Sequence, residues 1–227
     1  MANVMLLGGA RETGQAAHAL IGAGHGVRVY WSRDAGAPDV PVAATLRAGL
    51  DWADGVVDTT HVFDCDMRVM ARRLGPSMPA CRFGRAPWRA GQGDRWTPVP
   101  DLATAVATLP AGARVFAATG RDSAEVLSHH DGPVFLRQLQ RHDDVPPANC
   151  TFVFGAGPFV AADEVDLFRN LQIDVILARN IGGTGSFPKL EAARQMGLPV
   201  ILWQPEALEF GPAATSLEDV LAWAGTL

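Results

Sequence analysis

The sequence predicts an α/β protein made of two compact domains, each built on a mainly parallel sheet. Three observations carry that expectation. Short apolar runs of strand length alternate with stretches of helix length, a pattern that gives parallel strands joined by right-handed crossovers. Small, polar, glycine-containing turns follow several of the apolar runs. One segment, 84–100, interrupts the alternation and separates two such series.

Taken in order, residues 4–7 read as a buried first strand, and 12–24 as a helix with Ala16, Ala17, Leu20 and Ile21 facing inward. The second strand is 27–31. A Pro/Gly-containing stretch and a helix near 43–53 lead to a third strand at 55–58. A helix over 65–74 and a short strand at 80–83, placed behind Pro79, complete a first domain of residues 1–84. The segment GRAPWRAGQGDRWTPVP carries two tryptophans that need burial, so 85–100 is expected as an ordered connector rather than a flexible linker.

The second domain, 101–227, resumes with a helix at 102–109, a strand at 114–118 and a helix at 122–129. Strands at 133–139 and 150–154 and a helix at 163–170 follow. A βαβ unit comes next: a strand at 173–177, a glycine-rich turn, a helix from about residue 186 and a strand at 198–202. A last helix, 216–224, has Ser216 as N-cap and Asp219 at its third position.

Hydrophobic residues make up 48% of the 227, ample for a core, and a net charge of -5 argues against nucleic acid as a partner. Of 19 basic residues only Lys189 is a lysine. Arginine forks suit carboxylates and phosphates, although a genome-wide bias toward arginine explains the count equally well. Cys65, Cys81 and Cys150 lack CxxC spacing and are odd in number, so they read as small buried hydrophobes in a reducing compartment. The opening MANVMLLGGARETG reads as a first strand rather than a signal peptide, and no apolar run reaches the ~18 residues of a membrane helix. A cytoplasmic protein without a membrane partner is expected.

Ligands in open α/β sheets bind in the crevice outside the carboxyl ends of the strands, so the strand-end turns are the candidate site. In the βαβ unit they carry Arg179, Asn180, Gly182 and Gly183, with Lys189 in the first turn of the following helix. Glycines there admit a ligand close to the backbone, and a helix start offers N–H groups to an anion. The first turn, Gly8-Gly9-Ala10-Arg11-Glu12, is placed like a dinucleotide-binding loop but is not a strict GxGxxG. A tight turn packing helix on sheet accounts for its glycines equally well.

Arg33, ending the second strand, suits the 2′-phosphate of NADP, where an acidic residue would favour NAD; pairing with Asp34 is the plain alternative. Thr60 and His61 end the third strand. His61 is suited to binding a carboxylate or donating a proton, whereas Thr60 serves an N-cap cluster before Asp64 equally well. Thr119, Gly120 and Arg121 end a fourth strand. No serine sits on a nucleophile elbow. His129-His130-Asp131 and His142-Asp143-Asp144 read as loop clusters, and no metal site is expected.

In order and spacing, these residues resemble the precorrin-6A reductases of cobalamin biosynthesis over most of the chain. The likeness includes LLGGARE (6–12), VVDTTHVF (56–63), RAPW (85–88), GDRW (93–96) and VFAATGR (115–121). It continues with GPF (157–159), RNIGG (179–183), KLEAAR (189–194) and GLPVI (197–201). The resemblance implies two Rossmann-like three-layer domains holding substrate and NADPH in the cleft between them. It implies hydride transfer to one double bond of a methylated, many-carboxylate tetrapyrrole, as precorrin-6A becomes precorrin-6B. A reductase without metal or flavin motifs needs a nicotinamide, and a polyanionic macrocycle needs arginine forks.

The cofactor-binding positions are then Gly8, Gly9, Arg11, Glu12, Arg33 and Thr60. The substrate-binding positions are His61, Thr119, Gly120, Arg121, Arg179, Asn180, Gly182, Gly183 and Lys189, and no catalytic side chain is assigned.

The chain departs from the pattern of that family at Val62, where the family typically has proline. It reads Arg179-Asn180-Ile181-Gly182-Gly183 where Lys-Asn-Ser-Gly-Gly is typical, and the stretch between strands two and three is shorter, leaving 41–52. A lost serine hydroxyl removes a hydrogen bonder, and Lys to Arg turns a point charge into a fork. These departures motivate a second reading, a non-catalytic or retargeted relative that binds a tetrapyrrole or dinucleotide. A short-chain-type reductase of small carbonyls would need a Tyr-x-x-x-Lys pair, and the sole tyrosine, Tyr30, lies in strand two.

Overall fold

The computed structural model describes all residues except 32–38, 76 and 206–209. It divides into two compact units, Met1–Ala86 with Glu206–Leu227, and Pro87–Pro205. In the first unit β1 (Asn3–Gly8), β2 (Gly26–Trp31), β3 (Gly55–Thr59) and β4 (Ala80–Phe83) are all parallel, in the order β4-β3-β1-β2. They are connected by α1 (Glu12–Gly22), α2 (Leu46–Trp52) and α3 (Cys65–Leu74). Strands covered by helices on both faces read as unbroken apolar runs, as Val4 to Leu7 does, each residue being wholly buried. Thr45 starts α2 by accepting the Ala48 N–H at 3.0 Å.

The second unit holds a six-stranded parallel sheet in the order β5-β10-β9-β6-β7-β8. Its strands are β5 (Trp96–Val99), β6 (Val115–Ala118), β7 (Val134–Gln138), β8 (Cys150–Phe154), β9 (Val175–Arg179) and β10 (Val200–Trp203). Its helices are α4 (Leu102–Thr108), α5 (Ala124–Leu127), α6 (Ala161–Asn170) and α7 (Pro188–Met196). Asp101 caps α4, accepting from Thr104 at 2.6 Å. The core between sheet and helices is built around Phe116 and Phe168, both wholly buried with ring centroids 4.8 Å apart.

Ile21, expected to face inward, is exposed, and Cys65 is only partly buried; three larger features also differ from the sequence expectation. The segment 85–100 is not connector throughout, because Trp96–Val99 is strand β5, paired with β10. Pro98 hides it in the sequence: proline lacks the ladder N–H and is accommodated on an edge strand, which β5 is. The helix expected over 122–129 is a 3-10 turn, Arg121–Ser123, followed by the single turn of α5.

The largest difference concerns the C-terminus, which the sequence reading assigned to a second domain ending at 227. Here β11 (Ala213–Ala214) pairs with β4, and α8 (Leu217–Ala224) packs on α1. Val220 and Ala224 join Ala16, Ala17 and Leu20 in the first unit's core. The chain passes so close to β4 that a Cβ on Gly211 would lie 1.9 Å from the Ala80 carbonyl oxygen. The cap of α8 is as the sequence predicts, with Asp219 N–H donating to Ser216 Oγ at 3.1 Å and Ser216 N–H to Asp219 Oδ2 at 2.9 Å. No helix among the described residues is long and apolar enough to cross a membrane.

Candidate functional site

A sheet whose strand order reverses opens a crevice at the reversal, between two neighbouring strands whose following segments leave in opposite directions. In the first unit the reversal lies between β1 and β3. The turn after β1 and the turn after β3 are laced together there. Ala10 N–H donates to the Thr59 carbonyl at 3.0 Å, and Thr59 Oγ1 donates to the Leu7 carbonyl at 2.7 Å. A Cβ on Gly9 would lie 3.1 Å from the His61 backbone nitrogen, and one on Gly8 would lie 2.6 Å from the Trp31 ring. Gly8 therefore makes room for the Trp31 ring, and Gly9 lets the turn lie in tight contact with the backbone that follows β3.

Glu12, at the start of α1, is held by Arg85 Nε at 2.6 Å and Nη2 at 3.3 Å. Burial pushes that carboxyl up, but the Arg85 hydrogen bonds and charge outweigh it and hold it below its ordinary value. Thr60 donates its N–H and hydroxyl to Asp58 Oδ1 at 2.9 and 2.7 Å. Asp58, wholly buried, also pairs with Arg82 and lies 3.8 Å from Arg68 Nε. Arg11 is exposed at the head of α1, and Arg33 lies outside the described residues.

The second unit's reversal lies between β6 and β9, and here the structure opens a cavity of about 430 Å³. Gly120 and Arg121 after β6, Arg179 and Ile181 at the end of β9, and Lys189 of α7 line it. Gly120 has φ +91°, and a Cβ there would meet Arg179 Nη2 at 3.1 Å, so glycine lets the guanidinium lie against the turn. The opposite wall comes from the end of β7 and from α6: Arg137, Gln138 and Glu164, with His142 and Phe159 beside them. Arg137 Nη2 holds both oxygens of Glu164 at 3.0 Å.

Lys189 bonds the Ser186 carbonyl and stands 5.4 Å from the centroid of the Trp88 ring. Burial lowers its pKa to about 8; Arg137 and Arg179 push the same way, and the Glu164 carboxylate opposes them. Burial also raises the Glu164 pKa, against the pull of Arg137. The site is thus a half-enclosed basin lined by three cations, Arg137, Arg179 and Lys189, in which buried Glu164 holds Arg137 and acts on Lys189 while the Asp122 charge acts on Arg179. Such a cationic lining suits an anionic ligand. Among the described residues no cluster of three or more His, Cys, Asp or Glu side chains is placed to hold a metal ion.

Residues 3–225 match the family model described as precorrin-6x reductase CbiJ/CobK. The chain belongs to that family. A precorrin-6A reductase of Rhodobacter capsulatus is 35% identical over 243 residues, covering 98% of this chain and 96% of the relative. One from Rhodococcus erythropolis is 32% identical over 253 residues, covering 100% and 99%. A solved structure titled CobK precorrin-6A reductase superposes with a TM-score of 0.83 at 34% identity, covering 100% of this chain and 97% of that one. The protein is accordingly a member of the precorrin-6A reductase family of oxidoreductases of cobalamin biosynthesis, with the two-sheet α/β fold of CobK.

Within this reductase fold the positions read from the sequence take different parts. Gly120, Arg121, Arg179 and Lys189 come together on the second unit's cavity. Arg121 is half exposed and paired with Asp144 at 2.7 Å. Thr119 is buried behind it, its hydroxyl 2.6 Å from Ser123 Oγ. His61 lies in the first unit with the residues assigned to the cofactor, its Nδ1 accepting the Phe63 N–H at 3.3 Å.

Asn180 is buried and wholly engaged: Oδ1 accepts the Trp88 N–H at 2.8 Å, and Nδ2 donates to the Trp88 carbonyl and Gln204 Oε1, both at 3.0 Å. Gly183 offers its carbonyl to Trp88 Nε1 at 2.6 Å, and Gly182 and Gly183 adopt φ +67° and +73°. The turn after β9 therefore anchors Trp88. The sequence reading passed over Arg137, Gln138 and Glu164. A sequence signal did exist: Arg137 and Gln138 close an apolar strand with polar side chains, as the other site positions do.

Proposed function

We propose that this protein reduces one double bond of precorrin-6A to give precorrin-6B, using NADPH. The observation that carries this is the cationic cavity at the β6/β9 reversal of a chain that matches the reductase family from end to end. A ligand with many carboxylates is matched by the Arg179 fork and the Lys189 ammonium. We assign Thr119, Gly120, Arg121, Arg179, Gly182, Gly183 and Lys189 to the substrate's side of the site, with Thr119 shaping the turn from behind. Asn180 joins this group through its hold on Trp88, over whose ring Lys189 stands. His61 is assigned to the substrate as carboxylate partner or proton donor.

For the cofactor we assign Gly8, Gly9, Arg11, Glu12, Arg33 and Thr60. The support is that the described members of this set gather at the first sheet's reversal, where Arg11 heads α1. NADPH, when bound, supplies a hydride, so that the protein needs no nucleophile of its own. The chain's residues bind, orient and exclude water: Gly8 and Gly9 keep the β1 turn tight, Arg85 neutralises Glu12, and Phe116 and Phe159 wall the second cavity.

A second reading, a retargeted relative that binds without reducing, is favoured by Ile181, which puts an apolar side chain on the cavity wall. Anaerobic mixing of the protein with precorrin-6A and NADPH separates the two. Stoichiometric loss of NADPH absorbance with a matching change in the macrocycle spectrum, faster than with NADH, is the expected result. Tight binding of precorrin-6A with no NADPH oxidation would establish the second reading instead.

A further inference from the structure

Reducing a double bond takes a proton as well as a hydride. The hydride makes a new C–H bond at one end, and the displaced electron pair must be met by a proton at the other. A side chain that supplies it has to line the ligand's cavity and release a proton near neutral pH.

Of the described residues that line the second unit's cavity, His142, Glu164 and Lys189 are the candidates. Arginines stay charged, and neither a glutamine amide nor the Ser186 hydroxyl is an acid in that range. His142 has both ring nitrogens engaged: Nδ1 accepts the Asp144 N–H at 3.3 Å, and Nε2 lies 3.3 Å from Gln138 Oε1. Its ring is also wedged edge-on to Phe152 and Phe154, with centroids 4.9 and 5.4 Å away. Glu164 serves as an acceptor, both oxygens taken by Arg137 Nη2 at 3.0 Å, and its side chain is 5% exposed.

Lys189 is placed differently. An ammonium has three N–H donors; one goes to the Ser186 carbonyl, and no other oxygen or nitrogen of the described residues accepts from it. The Trp88 ring, 5.4 Å from Nζ, meets the charge without taking a proton. Burial, Arg137 of β7 and Arg179 of β9 all disfavour the ammonium, and Glu164 of α6 opposes them, which leaves a pKa of about 8. The amine is therefore charged at neutral pH and a stronger acid than lysine in water, at about 10.4.

We infer that Lys189 donates the proton that accompanies hydride addition to the macrocycle. The hydride supplied by NADPH adds to one atom of the double bond, and the π pair moves to its partner atom. That pair takes a proton from Nζ, the N–H bond breaks, and Lys189 is left as a neutral amine that solvent recharges. The macrocycle gains two electrons and NADPH loses them. This deepens the reading above and rests on it.

The test compares the parent with Lys189→Arg and Lys189→Ala in anaerobic single turnovers at saturating NADPH and precorrin-6A. Arginine keeps the charge but holds its proton. At saturation the rate is expected to fall about a hundredfold to ten-thousandfold in both variants, the range for one general acid. The parent's decline as pH rises through about 8 should be absent from both. Lys189 is the chain's only lysine, so isotope-labelled lysine gives a single side-chain resonance, which should shift when precorrin-6A binds.

A saturating rate within about threefold of the parent in either variant would overturn the inference, whatever happens to affinity, because the lysine would then only bind. So would a lysine resonance unmoved by bound precorrin-6A. A pH limb that persists in Lys189→Arg and vanishes in His61→Gln would overturn it in favour of His61. A parent that reduces nothing removes the reductase reading and this inference together, and that result appears before any variant is made.

Discussion

Replacing Asn180 with alanine separates the role read from the sequence from the role seen in the structure. The side chain is 1% exposed and makes three hydrogen bonds, two to the Trp88 backbone and one to Gln204. Truncation leaves the Trp88 N–H, the Trp88 carbonyl and Gln204 Oε1 without that partner. At about 1 kcal/mol net per bond, and more where a buried group stays unsatisfied, the loss sums to about 3 kcal/mol. For a chain of this size that lowers Tm by about 6–12 °C.

The assay is thermal unfolding beside tryptophan emission, because Trp88 also donates to the Gly183 carbonyl at 2.6 Å and packs 5.9 Å from the Phe187 ring. A red-shifted emission with the lowered Tm is expected. Asn180→Asp distinguishes the geometry further: it keeps the acceptor for the Trp88 N–H but turns an oxygen onto two other oxygens, and it should destabilise at least as strongly. An unchanged Tm in Asn180→Ala, with ligand affinity abolished, would refute the anchoring role and return Asn180 to direct contact with ligand.

Other consequences are open to measurement. Lys189 is charged below its pKa of about 8 and neutral above it. Affinity for an anionic ligand should therefore hold steady below pH 8 and decline as pH rises through that value, with proton uptake on binding there. Lys189→Met should flatten that profile in an isothermal titration series, and a parent profile flat to pH 10 would exclude the lysine. Asp58→Ala strips the buried partner of Arg68 and Arg82 and should cost about 3–5 kcal/mol in denaturant unfolding. Gly120→Ala, at φ +91° and ψ 159°, should cost about 1–3 kcal/mol and displace Arg179, so ligand affinity and stability fall together. The Cys81 thiol, pushed up to about 12 by burial and by Asp58, should resist alkylation at neutral pH until the protein unfolds.

What the sequence determined by itself was local and periodic. Runs such as Val4 to Leu7 and residues 173–177 announced buried parallel strands, and Ser216 with Asp219 announced a capped helix. The strand-end turns at Gly8, Thr60, Gly120 and Arg179 stood out because polar and small residues end apolar runs there, and the order of those motifs already carried the family resemblance. Tertiary structure decided everything that depends on partners far apart in the chain.

A two-residue strand such as β11 has no pattern of its own; only the open edge of β4 tells it which unit to join. Strand β5 is masked by Pro98, and its neighbouring segment is pinned by Asp94 to Arg194, 100 positions away. Asn180 looks like a ligand-facing amide until Trp88 arrives to occupy it. Arg137 and Glu164, 27 residues apart, are an unremarkable charge each until folding buries them face to face beside Lys189. Burial depends on long-range packing, and burial is what turns those ordinary side chains into a site.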